Sequence, residues 1–362
     1  MNELPFQRDR PEAKVATPLT LAEMHAFDEI LDARSPAEFE DDHLPGAINA
    51  PVLDDQERER VGTIYKQRSA FDAKRVGAPI AARNIAAHIE ESFADRPRNW
   101  RPLVYCWRGG GRSGSMVHVL RQVGWDAQRL DGGYKAFRRQ VVSDLEALPR
   151  RFRYHVICGA TGSGKSRLLE ALGHAGAQVL DLEVLAQHRG SVLGDLPNEP
   201  QPTQKRFETQ IWEALSRFDA QRPVYVESES RKVGNLRVPE ELIRRMRAAR
   251  CFRLEASQDI RVALLMEDYA HFVASPAALM ARLGLLRDLH GAERIAQWEE
   301  HLAAGAWHPL VHDLLENHYD PAYRKSLLRN YREAQTARVV EVIEPGRAGF
   351  LALARAIVRE HG

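Results

Sequence analysis

Residues 154–166 of the chain read YHVICGATGSGKS, an apolar run that passes into a glycine-rich turn ending in lysine and serine. The turn satisfies the pattern G-x-x-x-x-G-K-S/T, and leucines at helical spacing follow at 168, 169 and 172. Between a strand and a helix, such a turn wraps backbone N–H groups around a diphosphate, and its lysine adds positive charge. The predicted diphosphate-binding residues are Gly159, Gly162, Ser163, Gly164, Lys165 and Ser166.

Downstream of this turn, short apolar runs alternate with helical patterns, which is typical of a parallel, doubly wound α/β sheet. The predicted strands are 179–182, 224–226, 251–254 and 339–343. Acidic residues follow two of them, at the edge where such sheets place ligand sites. Of the pair Asp181 and Glu183 we favour Asp181. The candidates for substrate or Mg²⁺ contacts, none of them a certain metal ligand, are Asp181, Glu227 and Glu229.

The run 229–253 is locally basic, with eight Lys and Arg residues against three Glu residues. One interpretation is a surface for a nucleic-acid phosphate backbone. The alternative is a solvated amphipathic helix around Leu242, Ile243 and Met246. The candidate contact residues in this run are Arg231, Lys232, Arg244 and Arg245.

Upstream, residues 103–113 read LVYCWRGGGRS and show the same order of strand, glycine loop and helix. Consecutive glycines let N–H groups converge on one point, and the helix adds the positive end of its dipole. A thiolate at Cys106 would gain from these donors and from Arg108 and Arg112, which makes Cys106 a candidate nucleophile. Cys158 and Cys251 stand in apolar strands and fit the ordinary role of small buried side chains.

The composition describes a folded protein of two or three domains. The chain has 362 residues, 44% of them apolar, with 51 Lys and Arg against 50 Asp and Glu. Three widely spaced cysteines exclude a disulfide scaffold and a zinc knuckle. No apolar stretch reaches membrane-spanning length and the amino terminus has no signal-peptide pattern, so we expect a cytoplasmic protein without a membrane partner. Beyond about residue 275 the chain predicts helices, with leucines 279, 283, 286 and 289 on one face.

Three segments around the cysteine loop resemble a rhodanese domain. They are 30–39 (ILDARSPAEF), 43–51 (HLPGAINAP) and 130–134 (LDGGY). The resemblance implies a parallel-sheet α/β domain whose cysteine carries or displaces a chalcogen. The C-x5-R spacing from Cys106 to Arg112 also resembles the phosphate loop of certain rhodanese-fold phosphatases, although Tyr105 stands where those enzymes have histidine. The loop could accommodate a phosphate-like donor.

The two halves together resemble the tRNA 2-selenouridine synthase family over essentially the whole chain. Further segments similar to that family are 61–67 (VGTIYKQ), 180–183 (LDLE), 188–191 (HRGS) and 226–230 (VESES). The resemblance implies a rhodanese-like domain over 12–144, a linker over 145–153, and a P-loop domain over 154–362 with a helical extension from about 275. The alternative is a rhodanese-type sulfurtransferase fused to an NTP-dependent kinase or NTPase.

The family's reaction converts 2-thiouridine at the wobble position of the tRNA anticodon loop. Geranyl diphosphate first S-geranylates the base, and selenophosphate then supplies selenium. The resemblance implies that the phosphate loop binds the diphosphate, that Cys106 acts in selenation with Arg108 and Arg112, and that Trp107 stacks on a base. No tightly bound cofactor is expected, Mg²⁺ is a candidate ion, and the enzyme that makes selenophosphate is a candidate partner. The geranyl chain needs an apolar channel near the phosphate loop, for which we name Val192, Leu193 and the C-terminal leucines.

Overall fold

The computed structural model describes residues 14–15, 20–191, 193–197 and 199–361. Residue 12, where the predicted first domain begins, and Val192 lie outside these ranges. The chain divides into two compact units, Met1–Asp144 with Glu208–Ser216, and Leu145–Phe207 with Arg217–Gly362. Each unit is built around its own parallel sheet.

The first unit contains a five-stranded sheet with helices in the connections. The strands are β1 (Lys14–Val15), β2 (Glu29–Asp32), β3 (Ala47–Asn49), β4 (Pro102–Tyr105) and β5 (Gln128–Leu130). The helices are α1 (Leu21–Met24), α2 (Pro36–Asp41), α3 (Asp55–Gln67), α4 (Ala70–Glu91), α5 (Gly111–Val123) and α6 (Gly133–Ala147). The strand order is β1-β5-β4-β2-β3, and every described pairing is parallel.

Local sequence explains how these elements start and pack. Asp54 accepts a hydrogen bond from the backbone N–H of Glu57, and Glu57 accepts one from Asp54, so a capping box begins α3. All four residues of β4 are buried, as expected for a central strand covered on both faces. The core includes Trp100, whose ring centroid lies 5.0 Å from those of Phe93 and Trp125. This packing lies at the amino end of β4, where the chain enters the sheet.

The second unit contains a second five-stranded sheet and a two-stranded hairpin. The strands are β6 (Tyr154–Gly159), β7 (Gln178–Leu180), β8 (Val224–Glu227), β9 (Lys232–Val233), β10 (Leu236–Arg237), β11 (Arg250–Ala256) and β12 (Arg338–Val342). The helices are α7 (Lys165–His174), α8 (Leu182–Ala186), α9 (Gln204–Arg217), α10 (Glu240–Arg247), α11 (Gln258–Asp268), α12 (Ala270–Ala274), α13 (Pro276–Gly284), α14 (Arg287–Ala303), α15 (Trp307–Leu314), α16 (Asp320–Asn330) and α17 (Arg347–His361). Glu208–Ser216, the middle of α9, clusters with the first unit.

The order of the large sheet is β12-β11-β6-β8-β7, again with parallel pairings throughout its described part. The chain leaves the central strand β6 toward β8 and β7 on one side and later returns to β11 and β12 on the other. Such a reversal creates a crevice at the carboxyl ends of the strands, where doubly wound folds bind ligands. The predicted α/β fold class is confirmed, and each predicted strand is present with its ends shifted by at most two residues.

Helices α13 to α16 form the predicted helical region between β11 and β12. Leu279, Leu283 and Leu286 are buried in its apolar cluster together with Trp298. Leu289 is 69% exposed, so the prediction that it continues this face is wrong. The reason is that α13 ends at Gly284 and a new helix begins at Arg287. In the described part of the chain, no helix combines the length and apolarity needed to cross a membrane.

Candidate active sites

The sulfur of Cys106 lies directly after β4, at the amino end of α5. It accepts hydrogen bonds from the backbone N–H of Gly110 at 3.3 Å and from the hydroxyl of Ser113 at 3.2 Å. Both the cysteine and Ser113 are buried, with exposed fractions of 3% and 0%. Two donors and the positive end of a helix all stabilise negative charge at this sulfur. The geometry therefore suits a thiolate.

The segment 130–134 packs against the backbone of the cysteine loop. The backbone N–H of Tyr134 donates to the carbonyl of Cys106 at 2.9 Å. A Cβ at Gly133 would lie 2.1 Å from that same carbonyl oxygen, so this position requires glycine. Gly109 has a φ of +65°, and a Cβ there would lie 2.7 Å from the carbonyl oxygen of Leu130. Close backbone contact between the two glycine turns thus sets the direction of the thiol.

The two arginines of the loop have different surroundings. Arg112 binds Glu38 through two hydrogen bonds, of 2.5 Å and 3.2 Å. Burial alone would raise the pKa of Glu38, but the hydrogen bonds and charge of Arg112 lower it overall. Arg108 is exposed and has no charged partner among the described residues. An anion near the thiol would meet Arg108 directly, whereas Arg112 would have to exchange its carboxylate partner.

Other residues of the rhodanese-like motifs have structural contacts around this loop. Arg34 is 1% exposed, pairs with Asp32 at 2.6 Å, and donates to the carbonyl of Asp42 at 2.6 Å. Its guanidinium also lies 4.0 Å from the ring centroid of Tyr134. Trp107 is 38% exposed, with its ring centroid 5.4 Å from that of Tyr134. Trp107 is therefore partly packed and partly open to solvent.

In the second unit, the predicted phosphate loop joins β6 to α7. Gly162 and Gly164 have φ values of +79° and +86°, which L side chains rarely adopt. A Cβ at Gly164 would also lie 2.4 Å from the ring of Phe350. The Lys165 ammonium donates to the carbonyl of Gly159 at 3.1 Å, so the lysine folds back along the loop. The six predicted diphosphate-binding residues follow one another along this strand, loop and helix start.

Arg261 of α11 holds the loop in place, and sequence reasoning missed it. Its Nε donates to the carbonyl of Thr161 at 2.9 Å. Its two terminal nitrogens donate to Asp320 at 3.0 Å and 2.6 Å. The arginine is 8% exposed, so this ion pair is largely dehydrated. A residue of the helical region therefore anchors the phosphate loop through one arginine.

Three carboxylates gather beside the loop, where each of Glu183, Glu227 and Glu229 offers an oxygen within 4.8 Å of the others. The hydroxyl of Ser166 donates to Glu183 Oε2 at 3.1 Å, and the backbone N–H of Glu183 donates to Glu227 Oε1 at 3.2 Å. Glu227 Oε2 is buried without a hydrogen-bond partner among the described residues. The carboxylate cluster (these three glutamates) is thus open to a cation on its free oxygens.

The charges of the carboxylate cluster repel one another. Burial, together with the charge of Glu183, raises the pKa of Glu229 to about 8, although Lys165 opposes the rise. Burial also raises the pKa of Glu227 well above its usual value, and Glu183 and Glu229 add to that rise. Such perturbed carboxyl groups beside a phosphate loop are typical of a functional site.

Asp181, the acid that we favoured, caps α8 instead of joining the carboxylate cluster. Its Oδ1 accepts from the backbone N–H of Val184 at 2.9 Å. The residue that joins the cluster is Glu183, two positions later. Gly190 of the segment 188–191 also lies there, because a Cβ at Gly190 would be 2.8 Å from a Glu183 oxygen and 3.0 Å from a Glu229 oxygen. In the sequence, the two segments that come together here are 180–183 (LDLE) and 188–191 (HRGS). The rule that ligand sites follow strand ends considers only the first acid after a strand, so it selected Asp181.

The basic run does not form a single patch. Arg231 and Lys232 are exposed and follow β8, at the sheet edge that carries the phosphate loop. Arg244 is exposed on α10 and pairs with Glu241 at 2.5 Å. The charge of Arg245 acts on Tyr154, which starts β6 at the opposite edge of the sheet. The amphipathic-helix alternative is confirmed, because Leu242, Ile243 and Met246 are the buried residues of α10.

Comparisons with known proteins agree with both halves of the chain. A rhodanese-like domain model matches residues 17–140, and the model of the tRNA 2-selenouridine synthase AAA domain matches residues 152–284. A tRNA 2-selenouridine synthase from Marinobacter nauticus is 32% identical over 87% of this chain and 92% of its own length. Synthases of the same name from Shewanella halifaxensis (35% identical, 74% of this chain, 72% of the relative) and Alcanivorax borkumensis (32% identical, 83% of this chain, 90% of the relative) are also similar. The chain belongs to the tRNA 2-selenouridine synthase family.

Proposed function

We propose that this enzyme converts 2-thiouridine at the wobble position of tRNA into 2-selenouridine in two steps. In the first, the thiocarbonyl sulfur attacks C1 of geranyl diphosphate, the C–O bond breaks, and diphosphate leaves with the electron pair. In the second, selenium from selenophosphate bonds to C2 of the base and the geranyl thiolate leaves, taking up a proton. Water takes the phosphoryl group. A thiocarbonyl sulfur is a poor leaving group. Alkylation converts it into a thioether sulfur, which can leave as a thiolate.

One observation carries the proposal. The same chain holds a buried sulfur with two hydrogen-bond donors at a helix amino end and a phosphate loop beside three carboxylates. A chalcogen-transfer site and a diphosphate site are the two kinds of site that the two steps need. Family membership supports tRNA as the substrate, since the relatives are named for tRNA 2-selenouridine synthesis.

The phosphate loop is suited to the departing diphosphate. Backbone N–H groups around Gly162 and Gly164, with Lys165, would stabilise the charge that develops on the leaving group. Mg²⁺ fits this site, because carboxylate and hydroxyl oxygens are its preferred ligands and Glu227 Oε2 has no hydrogen-bond partner among the described residues. The residues that would hold the ion are Ser166, Glu183, Glu227 and Glu229. When bound, Mg²⁺ would neutralise part of the diphosphate charge.

Cys106 is suited to the selenium step. Its sulfur, held by Gly110 and Ser113, would assist displacement of the geranyl thiolate from C2 of the base. Arg108 is free to contact the phosphoryl group of selenophosphate, with Arg112 joining after exchange from Glu38. The exposed part of Trp107 offers a face on which an unstacked base could lie.

Two substitutions test the assignment of steps. 2-Thiouridine-containing tRNA is incubated with geranyl diphosphate and then with selenophosphate, and its nucleosides are measured by mass spectrometry. Lys165→Ala should abolish geranylation but leave selenation of pre-geranylated tRNA intact, whereas Cys106→Ala should do the reverse. Lys325→Ala, which alters an exposed lysine of α16, is the matched control and should support both steps. If Lys165→Ala geranylates normally, the diphosphate assignment is wrong.

A salt series separates this proposal from a fused kinase or NTPase. The proposed enzyme should bind tRNA in a gel shift that weakens as salt rises, because phosphate contacts release counterions. It should also turn over geranyl diphosphate only when tRNA is present. Hydrolysis of ATP without tRNA, together with no geranyl transfer, would favour the kinase or NTPase alternative.

A further inference from the structure

An apolar cavity lies beside the phosphate loop in the second unit. The space between its lining residues is about 550 Å³, counting a mouth that is open to solvent. Apart from a threonine and two tyrosines, its lining side chains are aliphatic, aromatic or thioether groups, and none of the described lining residues is charged. Such a lining disfavours a charged ligand, because burying an unpaired charge among apolar groups is costly. The cavity therefore suits a hydrocarbon.

The cavity is continuous with the phosphate loop. Thr161 of the loop is one of its lining residues, and the Thr161 carbonyl is held by Arg261 of α11. One helical turn later, Leu265 also lines the cavity, and it packs so closely on the loop that a Cβ at Gly162 would lie 2.9 Å from it. The cavity is therefore next to the position of a diphosphate on the loop.

We propose that this cavity holds the hydrocarbon chain of a prenyl diphosphate whose diphosphate lies on the phosphate loop. The proposal deepens the proposed function, on which it rests, by naming where the geranyl chain binds. Of the residues that the sequence suggested for such a channel, Leu193 and Leu279 line the cavity, whereas Leu283, Leu286 and Leu289 do not. Val192 lies outside the described residues.

The same lining disfavours a nucleotide as the occupant. A purine base carries several hydrogen-bonding groups, and burying them without partners is costly. The polar side chains available are few, and the hydroxyl of Tyr269 already lies 3.5 Å from that of Ser191. The carbonyl of Thr161 accepts from Arg261. The cavity thus selects a prenyl diphosphate over a nucleoside triphosphate at a loop that both could otherwise use.

Calorimetric titration of the full chain tests the proposal. The quantity measured is the ratio of the Kd for inorganic diphosphate to the Kd for geranyl diphosphate. Each buried methylene contributes about a fourfold factor, so the wild-type ratio should be roughly 100 or more. Val273 is 36% exposed on the cavity wall, and Val273→Trp should lower the ratio at least about tenfold while leaving the Kd for diphosphate within about twofold. Dimethylallyl diphosphate, with a shorter chain, should be less affected.

Two further variants make the result decisive. Leu285→Trp alters a leucine that is 70% exposed and outside the lining, and it should keep the wild-type ratio. Val311→Phe narrows the cavity from α15 and replaces Val273→Trp if that variant loses diphosphate binding. Equal ratios in the wild type and both cavity variants would overturn the cavity assignment even if geranyl transfer occurs. Absence of geranyl transfer with a changed ratio would overturn the proposed function alone.

Discussion

The carboxylate cluster should make the protein less stable as pH rises, and Glu229→Gln should remove the part of that dependence that Glu229 contributes. Glu229 is 8% exposed and has a pKa of about 8 against an ordinary 4.5. The folded state therefore binds more protons than the unfolded state between these two values. Stability is then full below about pH 4.5 and is lost as pH rises through about 8.

The size of the effect follows from that difference. The difference between the pKa of about 8 in the folded state and the ordinary 4.5, at about 1.4 kcal/mol per pH unit, corresponds to at most about 5 kcal/mol of unfolding free energy. Glutamine has nearly the same shape and cannot ionise, so Glu229→Gln should gain on the wild type by about 4 kcal/mol between pH 5 and pH 8. Mg²⁺ should reduce this gain, because a cation stabilises the ionised carboxylates of the wild type.

Urea unfolding followed by circular dichroism at pH 5, 6, 7 and 8, in EDTA and then in Mg²⁺, measures this free energy. Glu299→Gln, which removes an exposed carboxylate from α14, is the matched control and should follow the wild-type profile. Parallel pH profiles for the wild type and Glu229→Gln would refute the reasoning, since the buried carboxylate would then carry no cost of ionisation.

Two further predictions concern the sulfur and the loop anchor. Ser113→Ala removes one of the two hydrogen bonds to the sulfur, which is worth about 1 kcal/mol. Alkylation of Cys106 by iodoacetamide, followed by peptide mass spectrometry, should therefore slow about fivefold. An unchanged rate would show that the hydroxyl does not stabilise the thiolate. Arg261→Met leaves Asp320 without its partner and should cost about 3 kcal/mol of unfolding free energy. Adding Asp320→Asn should recover part of that loss in a double-mutant cycle, and strictly additive effects would contradict the coupling.

The parts of the sites that the sequence predicted are those encoded locally. The phosphate loop and the cysteine loop each occupy one continuous strand, turn and helix, so about a dozen residues contain both the candidate site residues and the glycines that shape the backbone. The alternation of apolar runs likewise predicted where the strands lie along the chain, because burial on both faces of a parallel sheet requires near-continuous apolar segments.

The membership of the carboxylate cluster could not be predicted from local sequence. The rule that ligand sites follow strands selected Asp181, but the first residue after β7 is also the cap of α8 and its oxygen is used there. Glu183 joins the site because it lies in the first turn of α8, two residues after the cap, where its carboxylate accepts a hydrogen bond from Ser166. Which of two nearby acids faces a ligand depends on a helix start that apolar periodicity does not locate.

By itself, the sequence determined two α/β sheets, a thiol at one helix amino end and a phosphate loop at another, since these follow from short-range spacing and glycine content. Only the tertiary structure decided the contacts between distant segments. Arg261 meets Asp320 across 59 positions, Arg112 meets Glu38 across 74, and the cavity beside Thr161 is walled by helices from beyond residue 260. The physical reason is that the partner of a side chain across a packed interior depends on how whole helices and strands pack together. Local sequence preferences do not determine that packing.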